Sequence, residues 1–259
     1  MSLARVLRSY WKASLDAELE YRSNFVFSAL ASLGNLGGSV FSLTLFYRNG
    51  GDFPGWTFDE ALVVLGLFTM FTGAVSLILS PNLSRIVQHV QSGTLDFVLL
   101  KPLDAQLQVS VRTLWPWGFA DLVFGFGILL FACAKIGVSP GNVALTLVPL
   151  AAGCVILYAL WFIVASTSIF FVKIYNATEV LRGLLDAGRF PIAAYPAAYR
   201  VVFTFVIPVT FLTTVPAETI LGRAQPTFFA GGVAAAVVLF IAARAFWKFA
   251  LRNYTGASG

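Results

Sequence analysis

Few residues in this 259-residue chain could carry chemistry. There is one histidine, His89, and there are two cysteines, Cys133 and Cys154, each inside an apolar run. A metal site or a disulfide framework needs more such groups at defined spacing, so the cysteines read as small apolar core residues and His89 as an exposed residue rather than a ligand. The chain has no GxxxxGK[ST] phosphate loop, no HExxH and no GxSxG nucleophile elbow. Two carboxylates stand out by their surroundings. Asp121 lies in a long apolar stretch, where an ionisable side chain either pairs with a neighbouring helix or joins a proton relay. A relay shows several such groups and Asp121 stands alone, so a structural pairing is expected. Glu218 sits among Pro216, Gly222 and Pro226, either facing a wet cavity or capping a short helix, and capping is the favoured reading. No catalytic residue and no metal site are expected.

The elements that hold these residues are apolar. Apolar residues make up 58% of the chain and charged residues 11%, against about 45–50% and 25% in an average soluble domain. Too little polar surface remains to cover a core in water, so lipid is the expected solvent. An all-α polytopic membrane protein follows, with six spans of about 20 residues: Asn24 to Tyr47, Asp59 to Ser80, Arg112 to Lys135, Val143 to Val172, Tyr199 to Val215 and Thr227 to Trp247. The fifth carries Pro208 in its middle. With Arg112 opening the third span, Asp121 lies roughly 13 Å along it at 1.5 Å per residue. Small residues in the first span, Gly34, Gly37 and Gly38, would permit close helix contact.

Orientation follows from the basic residues. With the N-terminus inside, 14 of the 17 Lys and Arg fall in inner segments, and only Arg48, Lys135 and Arg223 lie outside. Both termini are expected in the cytoplasm, and the whole chain, 1–259, is expected to be one transmembrane domain. The net charge of +5 is spread between spans rather than gathered into a patch, which argues against nucleic acid as a partner. The first apolar run follows more than twenty mixed residues and is too long for a signal peptide.

Residues 1–23 precede the first span. Leu3, Val6, Leu7, Tyr10, Ala17 and Tyr21 share one helical face with Trp11 at its edge, and Arg5, Arg8 and Lys12 lie opposite. That pattern predicts an amphipathic helix in the membrane interface. After the second span, Leu83, Ile86, Val87 and Val90 repeat at i, i+3, i+4, i+7 and Gly93 stands at a helix stop. Such a stripe on an inner loop needs a cover, either a partner or the chain's own spans. A second inner connector, Lys173 to Ala198, carries Val180, Leu181, Leu184 and Leu185 on one face with Arg182, Asp186 and Arg189 beside them. Between the fifth and sixth spans, Thr213 to Pro226 predicts a short helix dipping into the outer leaflet, with Pro216, Glu218 and Gly222 in it.

The order of these parts is familiar. An interfacial basic helix and two spans lead to Gly93-Thr94-Leu95-Asp96, Leu99 and Lys101-Pro102-Leu103, and then to four more spans. Tyr195-Pro196, Ile207-Pro208, Phe211, Thr213, Pro216-Ala217 and Leu221-Gly222 follow in the later part. The chain resembles the permeases of second-type ATP-binding-cassette (ABC) exporters over nearly its whole length, and within them a bacterial branch of permease components. The resemblance implies a dimer with a second copy or a related permease, and separate ATPase subunits that carry the ATP and magnesium. It implies ATPase coupling through the loop holding Leu83, Ile86, Val87, Val90, Gly93, Leu95, Asp96, Lys101 and Pro102. It implies a re-entrant outer segment and a bacterial cytoplasmic (inner) membrane. The expected function is transport of an amphiphilic or lipid-like cargo by an ATP-driven exporter, and the alternative is a secondary transporter driven by an ion gradient.

Overall fold

The computed structural model describes residues 3–19, 22–100, 104–171, 183–206 and 208–254. These residues are helical almost throughout, with an isolated bridge between Phe53 and Trp56. Helix α1 is Leu3–Leu19 and α2 is Arg22–Arg48; α3, Phe58–Ala74, continues through a π-helical turn, Val75–Leu79, into α4, Ser80–Gln91. Short helices α5, Leu95–Leu99, and α6, Ala105–Val111, precede α7, Phe119–Ile136, and α8, Pro140–Ser166. Beyond three 3-10 turns among the described residues come α9, Ala197–Val201, α10, Thr214–Ile220, and α11, Pro226–Arg252.

Five helices are long and apolar enough to cross a membrane, and a bent pair, Ala197–Val206 with Val209–Ile220, makes a sixth crossing if it counts as one span. The pair turns by 74° beside Pro208. The fifth span was expected from Tyr199 to Val215 with Pro208 in its middle; proline removes an amide donor and clashes with the preceding turn, and here the helix gives way.

The centre of the bundle is α3. Val63, Val64, Leu65 and Leu67 are buried on every side of it, which only a helix packed all round can achieve. Its main partner is α7, and the two approach through paired glycines seven residues apart. A Cβ on Gly66 would lie 2.9 Å from the Leu129 amide nitrogen, and one on Gly125 2.6 Å from that of Met70. A Cβ on Gly118 would lie 2.3 Å from the carbonyl oxygen of Gly73. Backbone contact of this kind needs the small residue. Gly34, Gly37 and Gly38, assigned this role from the sequence, meet nothing within 4 Å. On α2 the inward face is Ser32, Leu36, Ser39 and Leu43 instead, and the glycines point away from the bundle.

The segment after the second span is helical, as its apolar spacing predicted, and Pro81 explains how it is held. Proline at 81 deprives the Leu77 carbonyl of its i+4 donor. The Trp115 amide supplies one at 2.9 Å. The Asn82 side chain donates to Thr113 at 2.7 Å and accepts from its amide at 2.8 Å. The third span therefore does not begin at Arg112: residues 112–115 are stitched to the π-helical turn, and the span runs Pro116–Ile136. Exposed Phe27, Phe41, Phe131, Val238 and Ile241 cover the outside of the bundle, a composition that suits lipid.

Candidate functional site: two neighbouring chambers and the helical segment beneath them

Three places gather the residues singled out by type and spacing. The first is the segment from α4 to α6, at the α1 end of the bundle. Leu83, Ile86, Val87 and Leu95 are fully buried, and Val90 and Leu99 pack partly against the same core. The stripe is thus covered by the chain's own spans, with Trp161, Phe162 and Trp247 in the same cluster. Among the described residues of the segment, Phe97 and Leu100 are the large apolar side chains that stand exposed, at 69% and 80%. Their neighbours Leu95 and Val98 anchor α5 in the core, so the pair is presented from a fixed helix. Gly93, at φ +67°, ends α4. The Thr94 amide reaches the His89 carbonyl at 2.9 Å and the Gly93 amide that of Val90 at 3.3 Å, a Schellman closure that favours glycine. His89 is half-buried rather than exposed, its Nδ1 2.8 Å from the Thr94 hydroxyl oxygen. Asp96 hydrogen-bonds Tyr254, whose phenol is pushed up by burial and then by that carboxylate. Lys101 and Pro102 lie outside the described residues.

Beneath α6, Asp104 caps the helix through the Leu107 amide at 3.0 Å. The Arg244 guanidinium grips Asp104 with both terminal nitrogens and also donates to Gln106 at 3.0 Å. Gln106 and Ser110 in turn meet the Tyr158 hydroxyl at 3.1 and 2.8 Å. This network ties the α6 end to α8 and α11.

The second place is α1. Arg5, Arg8 and Lys12 are exposed on it. Its other side is tied to the break before α7: the Trp11 indole donates to the Val111 carbonyl at 2.8 Å, and the Ser14 hydroxyl to that of Leu114 at 2.8 Å. Glu18 accepts from the Trp117 indole at 3.0 Å, and Arg112 lies over the Tyr10 ring at 5.8 Å. The sequence put Trp11 at the edge of the apolar face. The i, i+3, i+7 spacing of Trp11, Ser14 and Glu18 marks a tie that apolar periodicity does not reveal.

The third place is a cavity of about 410 Å³ with a smaller one of about 210 Å³ beside it. Phe68, Thr72 and Asp186 line both. The larger chamber is walled by Phe71, Val75, Leu157 and Leu212, with Trp115 and Trp117 beside them. The Trp115 indole N–H is buried and has no hydrogen-bond partner among the described residues. The smaller chamber is polar and contains Ser32, Asn35, Ser39, Thr69, Asp121 and Arg189. Asp121 accepts from the Ser32 hydroxyl. It stands in the first turn of α7, nearer the α1 end than the 13 Å expected when Arg112 opened the span. Arg189 lies 5.3 Å from the Phe68 ring centroid and 3.9 Å from Asp186, and its Nε is buried without a partner among the described residues.

Arg189 reaches this chamber because residues 186–194 run inside the bundle. Phe190 stacks obliquely on Phe53 at 5.7 Å, and the Ile192 amide donates to the Thr214 hydroxyl at 3.2 Å. The connector was expected wholly on the inner side; this half of it is packed among spans because Phe190, Pro191, Ile192 and Ala193 are apolar. Val180, Leu181 and Arg182 lie outside the described residues, whereas Leu185 lines the larger chamber.

At the opposite end, α10 is almost wholly buried, Pro216 included. Gly222, at φ +71°, closes it, and the Arg223 amide reaches the Glu218 carbonyl at 2.9 Å. Glu218 stands in the last turn of α10 and not its first, so it is no N-cap. Arg223 pairs with Glu60 at 3.2 Å and lies 4.3 Å from the Trp56 ring centroid, and Lys135 pairs with Asp59 at 2.7 Å. Glu60 and Thr57 cap α3 reciprocally.

A membrane bundle with a helical segment beneath it, a bent helix pair and chambers between its spans invites comparison with transport proteins. The family described as ABC-2 family transporter protein matches residues 33–258. No curated protein matches the chain. The match takes in nearly all of the chain beyond α1 and the start of α2, so the chain belongs to the ABC-2 family of transporter proteins.

Proposed function

We propose that this chain is the membrane subunit of an ATP-driven exporter of amphiphilic or lipid-like molecules. It would lie in a bacterial cytoplasmic membrane, with the α1 end and both termini in the cytoplasm. Members of the family work with ATP-binding subunits, and here the coupling residues would include the α5 surface. The observation that carries the reading is the exposure of Phe97 on α5 and of Leu100 just past it, while Leu95 and Val98 of the same helix are buried in the core. An apolar pair held out of the membrane by a rigid element suits a groove on a partner protein. The 14-to-3 division of basic residues supports the orientation, and the neighbouring apolar and polar chambers support an amphiphilic cargo. A second permease, identical or related, would complete the pathway.

Nothing in the chain forms a phosphate loop, so the purified chain is expected to hydrolyse no ATP, and hydrolysis is expected once a separate ATPase subunit is added. Phosphate release from the chain alone that survives mutation of co-purifying ATPases would remove the reading.

A further inference from the structure

The polar chamber has a donor–acceptor pattern that selects a head group. The Ser39, Thr69 and Thr72 hydroxyls each donate back along their own helix, to Asn35, Leu65 and Phe68, at 2.8, 2.8 and 3.0 Å. Ser32 donates to Asp121. With their protons engaged, these oxygens can only accept from a guest. Asp121 adds a carboxylate that no basic side chain pairs among the described residues, so this wall suits a donor-rich cation such as an ammonium. Across the same chamber, Arg189 offers the opposite. Its pairing with Asp186 is loose at 3.9 Å, and its buried Nε–H lacks an acceptor. An anionic oxygen from a guest would satisfy it. The adjoining chamber, about 410 Å³, is apolar apart from a few groups, among them the unpartnered Trp115 N–H, a donor for a single carbonyl.

From these chambers we infer a binding site for a single-chain amphiphile with a zwitterionic head, its ammonium at Asp121, its phosphate at Arg189 and its chain in the apolar chamber. The inference rests on the transport-subunit reading and gives its cargo a chemical class. A lone cationic head would leave Arg189 unsatisfied, and a lone anionic head would face the acceptor wall and Asp121.

The test is equilibrium binding to the full chain in nanodiscs, with empty nanodiscs as baseline. The probes are radiolabelled lysophosphatidylethanolamine and lysophosphatidic acid, which share a chain; the first adds an ethanolamine ammonium, and the second ends in a phosphate monoester of larger negative charge, so a preference for the first runs against the pull of Arg189. The zwitterion is expected to bind about tenfold or more tightly than the acid, the scale of one charged hydrogen bond. Asp121→Asn keeps the shape and should remove that preference, weakening the zwitterion's binding and easing the acid's. Arg189→Gln should weaken both. Each variant must elute as a single symmetric species, and Thr69→Val, which removes one acceptor at constant shape, gives a second route to reduced preference. Equal binding of the two probes, or an Asp121→Asn variant with undiminished preference, overturns the site. Because no ATPase is present, that result leaves the transport-subunit reading untouched, whereas failure of the chain to recruit an ATPase leaves the head-group preference standing.

Discussion

Single polar residues in this protein are spent on joining segments far apart in sequence. Asn82 bonds both ways to Thr113, Arg223 bridges to Glu60, and Arg244 grips Asp104. The last has a pH signature outside the membrane. The Arg244 hydrogen bond holds the Asp104 carboxyl below its ordinary value. A depressed folded pKa means the contribution is fully present above the unfolded value of about 3.9 and disappears as pH falls through the lower folded value. Asp104 is more than a third exposed, so the effect is modest. Asp104→Asn keeps the cap on α6, since asparagine caps as well as aspartate. At pH 7 this variant should melt below the wild type, and below about pH 4 the gap should close. A gap of constant size down to pH 3, followed by scanning fluorimetry, would show that the ion pair contributes nothing.

The elements depend on where backbone meets backbone. Gly125→Leu would drive a side chain into the Met70 amide, a clash no rotamer escapes. It should cost about 3 kcal/mol or more and abolish the monodisperse peak in fluorescence-detected size exclusion. Gly34→Leu, facing outward, should leave the peak of the single subunit intact. Equal behaviour of the two variants would contradict the α3–α7 crossing.

Much of the element order was legible in the sequence. Apolar runs of 20 or more residues with few charges have one physical solution, and Pro and Gly punctuate them visibly. Contacts were less legible. Gly66 and Gly73 match Gly118 and Gly125 only once α3 and α7 are known to be neighbours, whereas the closer cluster Gly34, Gly37 and Gly38 drew attention by spacing alone. The stripe Leu83, Ile86, Val87 and Val90 marked a buried face correctly, but periodicity does not say whose surface buries it. Asp121 and Arg189 could not be joined from sequence, because Arg189 reads as part of an inner connector and nothing in its spacing shows that the turns beyond it pack among the spans.

At the scale of the whole molecule, the two ends differ in kind. One end holds α1, the buried stripe and the exposed Phe97 and Leu100, and the other is closed by Arg223, Glu60, Trp56, Lys135 and Asp59. We expect the closed end to face outward. Cysteine placed at Gly51 should react with an impermeant maleimide in intact cells, and cysteine at Ser258 should react only after lysis. Reaction of the Ser258 site in intact cells would invert the orientation.

The central claim, that an ATPase grips this subunit through α5, is tested most directly by the ATPase retained per subunit on purification of co-expressed protein. Phe97→Asp and Leu100→Asp should leave membrane abundance near wild type and reduce retained ATPase at least fivefold, because removing a buried interface anchor costs more than about 1 kcal/mol. Ile86→Asp, which places a charge in the subunit's own core, should lower abundance itself. Phe97→Asp and Leu100→Asp subunits that both retain a full complement of ATPase would contradict the account.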